Sequence, residues 1–346
     1  MAGLASSIRA RIRAAAVPAL TWSGAAALFS RLQQPDGAVI LMYHSVADGA
    51  EAEAIDPENR VAPDLFERQM AYLHRHRRVV ALTEVVEQVA AGLTPTAGTV
   101  CITFDDGYLD NLRVAAPILA RHGLPATIFL ATGYVGRAEP QWADRLFWML
   151  RQRRTRALDL TAYDLGRFDL SNGPGRASAR RALHGRLLAA PYAERTCLLD
   201  DVQGQLRPQG EMPRLTLDWT QARELVERYP LFEVGGHTRD HLDLRTHGGD
   251  LAQGEIQGCA TDLRQELGIE PRHFSFPYGR ASAETREQVR AAGWRSTIVA
   301  GHSPRIVASN GRHGLSRGQT PVSLTELRFM TSGAYPNLLQ KVGLYA

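Results

Sequence analysis

Val100-Cys101-Ile102-Thr103-Phe104-Asp105-Asp106-Gly107 is the stretch from which this chain can be read. An apolar run of strand length ends in two adjacent carboxylates and a glycine, and burying two acids side by side is costly unless a positive group shares the site. A metal ion supplies that charge. Working outward, the next stretch of the same kind is Phe232-Glu233-Val234-Gly235-Gly236-His237-Thr238-Arg239-Asp240-His241, where a short apolar run leads into two histidines four residues apart. One carboxylate and two imidazoles make a three-ligand site of the hydrolytic kind, which leaves the second carboxylate free as a base. Histidines at i and i+4 share one face if the loop carrying them enters a helix.

From Ala38 onward, short apolar runs alternate with stretches of helical periodicity, the pattern of repeated strand-helix units on a parallel sheet. The expected strands are Ala38 to Tyr43, Val100 to Phe104, Thr127 to Ala131, Phe232 to Gly235, His273 to Phe276 and Ser296 to Val299. The expected helices are Pro63 to Arg77, Thr83 to Ala91, Asn111 to His122, Thr220 to Tyr229, Leu251 to Leu267 and Ala283 to Ala292, with Gly123, Gly268 and Gly293 at helix ends. Polar chemistry recurs where strands stop: His44, then Asp105 and Asp106, then His237, then Pro277-Tyr278-Gly279. A closed or nearly closed strand-helix barrel produces that clustering, because its loops converge on one rim. A doubly wound open sheet is the alternative, but the chain has no glycine-rich phosphate loop to mark a switch point.

Between Ala131 and Phe232 the spacing is about twice what one strand-helix unit needs, so roughly 60 residues are inserted there. The insert is helical and rich in arginine (Arg153, Arg154, Arg156, Arg180, Arg181), is punctuated by Ser171-Asn172-Gly173-Pro174-Gly175, and opens with Trp142, Phe147 and Trp148 near Asp144 and Arg145. It reads as a helical hairpin packed on the barrel, with a lid facing substrate or membrane as the functional alternative.

The chain of 346 residues, 44% hydrophobic and 22% charged, has enough apolar side chains for one large core or two small ones. Its net charge of +4 comes from arginine, since Lys341 is the sole lysine. No nucleic-acid motif accompanies that charge, so no nucleic-acid partner is expected; attraction to anionic lipids or phosphorylated substrates fits it better. Cys101, Cys197 and Cys259 are odd in number and unpaired in spacing, which suits a reducing compartment and buried packing roles. Arg9, Arg11 and Arg13 precede a mildly apolar stretch, Ala14 to Phe29, broken by Pro18, Ser23 and Gly24. That stretch is too weak for a membrane span and reads as an amphipathic or plain helix, placing the protein in the cytoplasm or peripherally at the inner membrane, with export left open.

Together, Thr103-Phe104-Asp105-Asp106-Gly107 and His237-Thr238-Arg239-Asp240-His241 resemble the first two motifs of the polysaccharide deacetylase family, carbohydrate esterase family 4. The resemblance extends over Ala38 to Val299. It implies an α/β fold, a distorted (β/α)7-type barrel over 38–335 with a helical insertion at about 136–215, flanked by an N-terminal helical segment, 1–37, and a tail, 336–346. It also implies residue roles: Asp106, His237 and His241 as metal ligands, and Asp105 as the base that takes a proton from the attacking water. Zinc is the first expectation, and the same donors admit cobalt, manganese, nickel or iron. Phe274-Ser275-Phe276-Pro277-Tyr278-Gly279 looks like the third motif, in which Pro277 and Tyr278 line the groove and a backbone N–H at Tyr278 helps hold the oxyanion.

Two departures from the family pattern stand out. Ser275 occupies the place where many members carry an arginine that pairs with the base, so Asp105 needs another cation; Arg280 and Arg295 are the candidates. The Leu-x-His motif that supplies the general acid is not evident, because His313-Gly314-Leu315-Ser316-Arg317 lies in the right region in the wrong order. However, Val39-Ile40-Leu41-Met42-Tyr43-His44-Ser45-Val46 resembles the opening strand of a branch that works in bacterial exopolysaccharide and cell-envelope pathways. His44 is therefore the candidate for acid or substrate clamp.

Each motif also has a plainer reading: Asp-Asp-Gly as a helix cap, the histidines as solvated side chains, Pro-Tyr-Gly as a turn. His74, His76, His122, His184, His302 and His313 lack motif context and are read as surface or structural, with His247 a reserve ligand. The implied activity is metal-dependent removal of an N-acetyl or similar small acyl group from amino sugars of a bacterial polysaccharide or its lipid-linked precursor. The expected partner is thus an N-acetylated glycan or lipid-linked sugar, with peripheral membrane contact. The same residues also suit an O-acetyl esterase, a deformylase or a catalytically silent glycan-binding homologue.

Overall fold

The computed structural model describes residues 36–300 and 305–332. The expected N-terminal helical segment before Asp36, the tail from 336 and His302 lie outside the described residues.

The strands that matter are β1 (Ala38–Tyr43), β2 (Thr99–Asp105), β3 (Ala126–Leu130), β4 (Ala157–Leu160), β5 (Gly166–Asp169), β6 (Phe232–Gly236), β7 (His273–Ser275), β8 (Ser296–Ala300), β9 (Arg305–Ile306) and β10 (His313–Arg317). The helices are α1 (Gly49–Ala54), α2 (Pro63–His76), α3 (Leu82–Ala90), α4 (Ala116–His122), α5 (Trp142–Gln152), α6 (Gly173–Leu188), α7 (Tyr192–Leu206), α8 (Trp219–Arg228), α9 (Gly249–Leu267), α10 (Ala283–Ala291) and α11 (Leu324–Met330). Strands β1, β2, β3, β6, β7, β8 and β10 follow one another as parallel neighbours. The ring closes just beyond β10, where the Met42 N–H donates to the Gly318 carbonyl at 3.1 Å and the Gly318 N–H to the Ile40 carbonyl at 2.9 Å. At the start of β1 the antiparallel strand β9 takes up pairing instead, Ala38 opposite Ile306, and this shared seam is where the barrel departs from regularity. The expected α/β, (β/α)7-type barrel is therefore what forms.

Alternation along the strands explains the interior. In β2, every residue is buried, as a strand covered on both faces must be. Val100, Ile102 and Phe104 join the layer beneath α2 and α4, while Cys101 faces inward with Ile40, Phe129, Ile298 and Leu315. Thr103 and Asp105 follow Cys101 at period two and so point into the barrel. Helix α3 closes the opposite end: the Thr83 N–H donates to Glu233 at 3.3 Å, and the Thr83 hydroxyl meets His273 at 2.8 Å.

The expected strands and helices appear within about two residues of their bounds, with one irregularity: a π-turn over Asn111–Ala115 precedes α4. Between β3 and β6 the insertion builds its own core, in which Trp142, Leu146, Leu160, Leu183 and Val202 pack with Ala52 and Ile55. It is not wholly helical, because β4 and β5 pair as an antiparallel hairpin. The alternation of Leu158 and Leu160 is too brief, among arginines, to announce it. Cys101 and Cys259 are buried as packing residues, whereas Cys197 is exposed, contrary to the expectation for it. Among the described residues no helix is long and apolar enough to cross a membrane.

Candidate metal centre

At the end of β2 the chain turns sharply out of the barrel: Asp106 has φ +74° and Gly107 φ +74°. A side chain at Gly107 would both strain that backbone and meet Leu130 at 2.8 Å. The turn leaves Asp105 inside the barrel and sets Asp106 on its rim. Across the opening, β6 is thin, since a Cβ at Gly235 would collide with the Phe129 ring at 2.6 Å and the His273 carbonyl at 2.6 Å. The two histidines that follow do not lie on a helix. Instead, Thr238 (φ +61°) and His241 (φ +52°) take left-handed conformations, and the Glu255 carboxylate accepts from the Arg239 and Asp240 N–H groups at 2.9 and 2.8 Å. The helical route to a shared face is thus replaced by a strained loop pinned from below. With Asp106 at φ +74° and Tyr278 at φ +57°, four left-handed non-glycine residues gather around this opening, whereas Asp164 and Arg207 take the same conformation at helix ends in the insertion.

The side chains of Asp106, His237 and His241 converge, with one ligand atom from each within 4.8 Å of the others. His237 Nε2 lies 3.7 Å and His241 Nε2 3.3 Å from Asp106 Oδ1. Ligand atoms around one tetrahedral cation stand about 3.4 Å apart, so these spacings suit a shared ion better than direct pairing. Asp106 Oδ1 is buried without a hydrogen-bond partner, a need that a cation would satisfy. Both tautomers are set from behind: His237 Nδ1–H donates to the Ser275 carbonyl at 2.7 Å, and His241 Nδ1–H to the Tyr278 hydroxyl at 2.9 Å. Trp142 Nε1–H donates to that hydroxyl at 2.9 Å. Each Nε2 therefore presents a lone pair to the common space. Burial pushes both imidazoles down, keeping them neutral, while burial and then Asp105 and Asp144 push Asp106 well up. The three residues fit a divalent cation.

Asp105 is treated differently. Burial is the largest influence and opposes its charge, but Arg317 together with His237 and His44 brings the carboxyl down to about 2. The guanidinium grips both carboxylate oxygens, donates to the Thr103 hydroxyl at 3.1 Å and donates to the Ser275 hydroxyl at 2.8 Å. Neither anticipated cation fills this place: Arg280 pairs with Asp243 at 2.6 Å, and Arg295 is exposed at the surface. The arginine that sequence reasoning missed stands two residues along β10 from the inward-facing Leu315, so alternation aims it at Asp105 across the barrel. Ser275 leaves the room and supplies an acceptor.

His44 lines the same cavity as Asp105, Asp106, His237, His241, Tyr278 and Arg317. Burial, with Arg317 and His237, pushes it down to about 4 against the pull of Asp105, and its Nδ1 has no partner. It rests neutral. Pro277 is buried and does not line the cavity, where Tyr278 and Gly279 do. His247 is not a reserve ligand; it contacts the Asp243 carbonyl and the Thr246 hydroxyl. His184, read as surface or structural, lines the cavity.

Residues 92–297, more than half of the chain, match the sequence model of a family described as polysaccharide deacetylase. The chain is 34% identical over 107 residues to YxkH of Bacillus subtilis (strain 168), a protein named provisionally as a polysaccharide deacetylase; the match covers 31% of this chain and 36% of that relative, about a third of its length. Among solved structures it is similar to IcaB from Ammonifex degensii (19% identity, 88% of this chain and 98% of that one, TM-score 0.54) and to the deacetylase PplD of Streptococcus pyogenes in complex with acetate (18% identity, 86% and 99%, TM-score 0.56). At those identities the two structures establish the fold.

Proposed function

Because the chain belongs to the polysaccharide deacetylase family, we propose that it is a metal-dependent hydrolase that releases the acetyl group of an N-acetylated amino sugar in a glycan or its lipid-linked precursor. The observation that carries this reading is the pairing of a convergent, neutral-imidazole ligand set with a neighbouring carboxylate that Arg317 holds ionised. Asp106, His237 and His241 would hold the cation, zinc by preference for this donor set. When bound, it lowers the pKa of water and polarises the amide carbonyl.

Asp105 takes the proton as water adds to the acyl carbon, and its low pKa makes it a base that is always unprotonated at neutral pH. Tyr278 lines the cavity, and its backbone N–H would be the donor for the oxyanion that develops. His44 delivers a proton to the departing nitrogen as the carbon–nitrogen bond breaks. Being neutral at rest, it must first receive one, and the proton removed from water balances that demand. Acetate and a free amine result.

The test is acetate release from an N-acetylated chitooligosaccharide by zinc-loaded protein. Asp106→Ala is expected to lose bound metal and activity together, and His44→Ala to lose turnover while keeping metal. Sugar binding with no acetate released would instead leave a glycan-binding homologue, and formate or ester hydrolysis would redirect the substrate within the same site.

A further inference from the structure

The helical insertion does more than pack on the barrel. The metal centre forms the floor of a cavity of about 310 Å³. The cavity is lined by the segment Asp56, Glu58 and Asn59 and, from the insertion, by Asp144 and Phe147 of α5 with Arg180 and His184 of α6. Arg180 and Asp56, which both line the cavity, form an ion pair that joins the two elements. Arg180 also lies over the Phe147 ring, 5.9 Å from its centre, and His184 rests 5.2 Å from Trp142, the same Trp142 that holds the Tyr278 hydroxyl behind His241.

An exposed ion pair contributes little by itself. This one joins two elements already seated in one apolar core, since Ala54 and Ile55, next to Asp56, pack with Trp142, Leu146 and Leu183 of the insertion. These elements are therefore fixed by burial, and the pair only latches them. A chain threading through the site needs two open ends, and an ion pair that joins two lining elements closes the gap between them. A volume near 300 Å³ is at the small end of ligand clefts, room for a sugar ring or two. Asp144 on the wall is 1% exposed; Tyr108 donates to its Oδ2 at 2.7 Å, and its Oδ1 lacks a partner, an acceptor that a sugar hydroxyl satisfies.

Resting on the deacetylase reading above, we propose that the insertion makes this an end-on pocket, which accepts a terminal or single N-acylated amino sugar and excludes units in the interior of a longer chain. The experiment supplies zinc-loaded full-length protein with N-acetylated monomer, dimer and pentamer of one amino sugar, and maps the deacetylated unit by tandem mass spectrometry. Wild type is expected to release acetate from one end unit only, with kcat/KM that stops rising beyond the dimer. Arg180→Ala and Asp56→Ala, which each break the pair, are expected to raise interior deacetylation relative to the end unit about tenfold, the scale of one contact in specificity. Interior units processed by wild type as fast as the end, or kcat/KM climbing steadily to the pentamer, would overturn the pocket and leave the deacetylase reading intact. An unchanged positional pattern in both variants would overturn the latch. Absence of acetate from every length would overturn both readings.

Discussion

The ends of β2 and β10 meet at one ion pair, yet they are built to opposite rules. All seven residues of β2 are buried, with Val100, Ile102 and Phe104 under helices and Cys101, Thr103 and Asp105 inside the barrel. In β10 only Leu315 and Arg317 are buried, the rest being half-exposed. A strand covered on both faces is largely apolar and announces itself; one beside the seam of the barrel has a half-exposed outer face and carries no run. The difference teaches that a strand's visibility in sequence follows its outer face, while its contribution to the site depends on its inner one.

Removing the β2 side of the pair has the largest expected effect on chemistry. Asp105→Asn is expected to lower kcat about 10³-fold, the scale of a general base, with metal stoichiometry by plasma mass spectrometry unchanged. A variant that turned over at a tenth of the wild-type rate would show that the base lies elsewhere.

Removing the β10 side strikes stability as well. Arg317→Ala strands a buried carboxylate and is expected to cost about 3–5 kcal/mol in urea unfolding, whereas the double variant Asp105→Asn/Arg317→Ala recovers much of that loss without recovering activity. Ser275→Arg in the Arg317→Ala background sharpens the comparison, since it brings a guanidinium from β7, the position of the family's arginine. Partial return of stability is expected, and none at all would mean that the cation must come from β10.

The pair also has a pH signature. Asp105 is depressed from 3.8 to about 2 in the folded protein, so the stability it adds is fully present above about pH 4 and is lost as pH falls through 2. By linkage that is about 2 kcal/mol, and Arg317→Ala should lose much of this acid-side slope in a denaturation series between pH 4 and 2.

A smaller effect tests the ligands' support. Tyr278→Phe removes the acceptor for His241 Nδ1–H and is expected to weaken metal binding about tenfold or somewhat more, with little change in fold. Calorimetry of metal binding in buffers of different ionisation heat should also show proton release, because Asp106 is pushed well up without the ion and must ionise to bind it. Affinity should accordingly rise with pH, and buffer-independent heats would contradict a protonated Asp106.

Much of the site was legible in the sequence because its donors follow strands that are visible. Asp105 and Asp106 end an apolar run, His237 and His241 follow another, and His44 a third; a fold that places every strand end at one rim then gathers them. Three things were not legible. A shared face for His237 and His241 was expected only if their loop entered a helix, since side-chain spacing does not reveal the left-handed backbone at Thr238 and His241. Arg317 was invisible because Gly314 and Ser316 interrupt the only apolar residue of β10. His184 was passed over because nothing local marks a helix that will come to rest beside the metal centre.

The order of residues along the chain determined the barrel and the candidate positions for ligands and base, because burial on two faces and the repeat of strand and helix impose patterns that extend only a few residues. Tertiary structure alone decided which cation orients Asp105 and what encloses the centre. Arg317 lies 212 residues from Asp105, and Arg180 lies 124 from Asp56. Local periodicity carries no information about pairs so distant; only closure of the barrel and packing of the insertion bring them within reach.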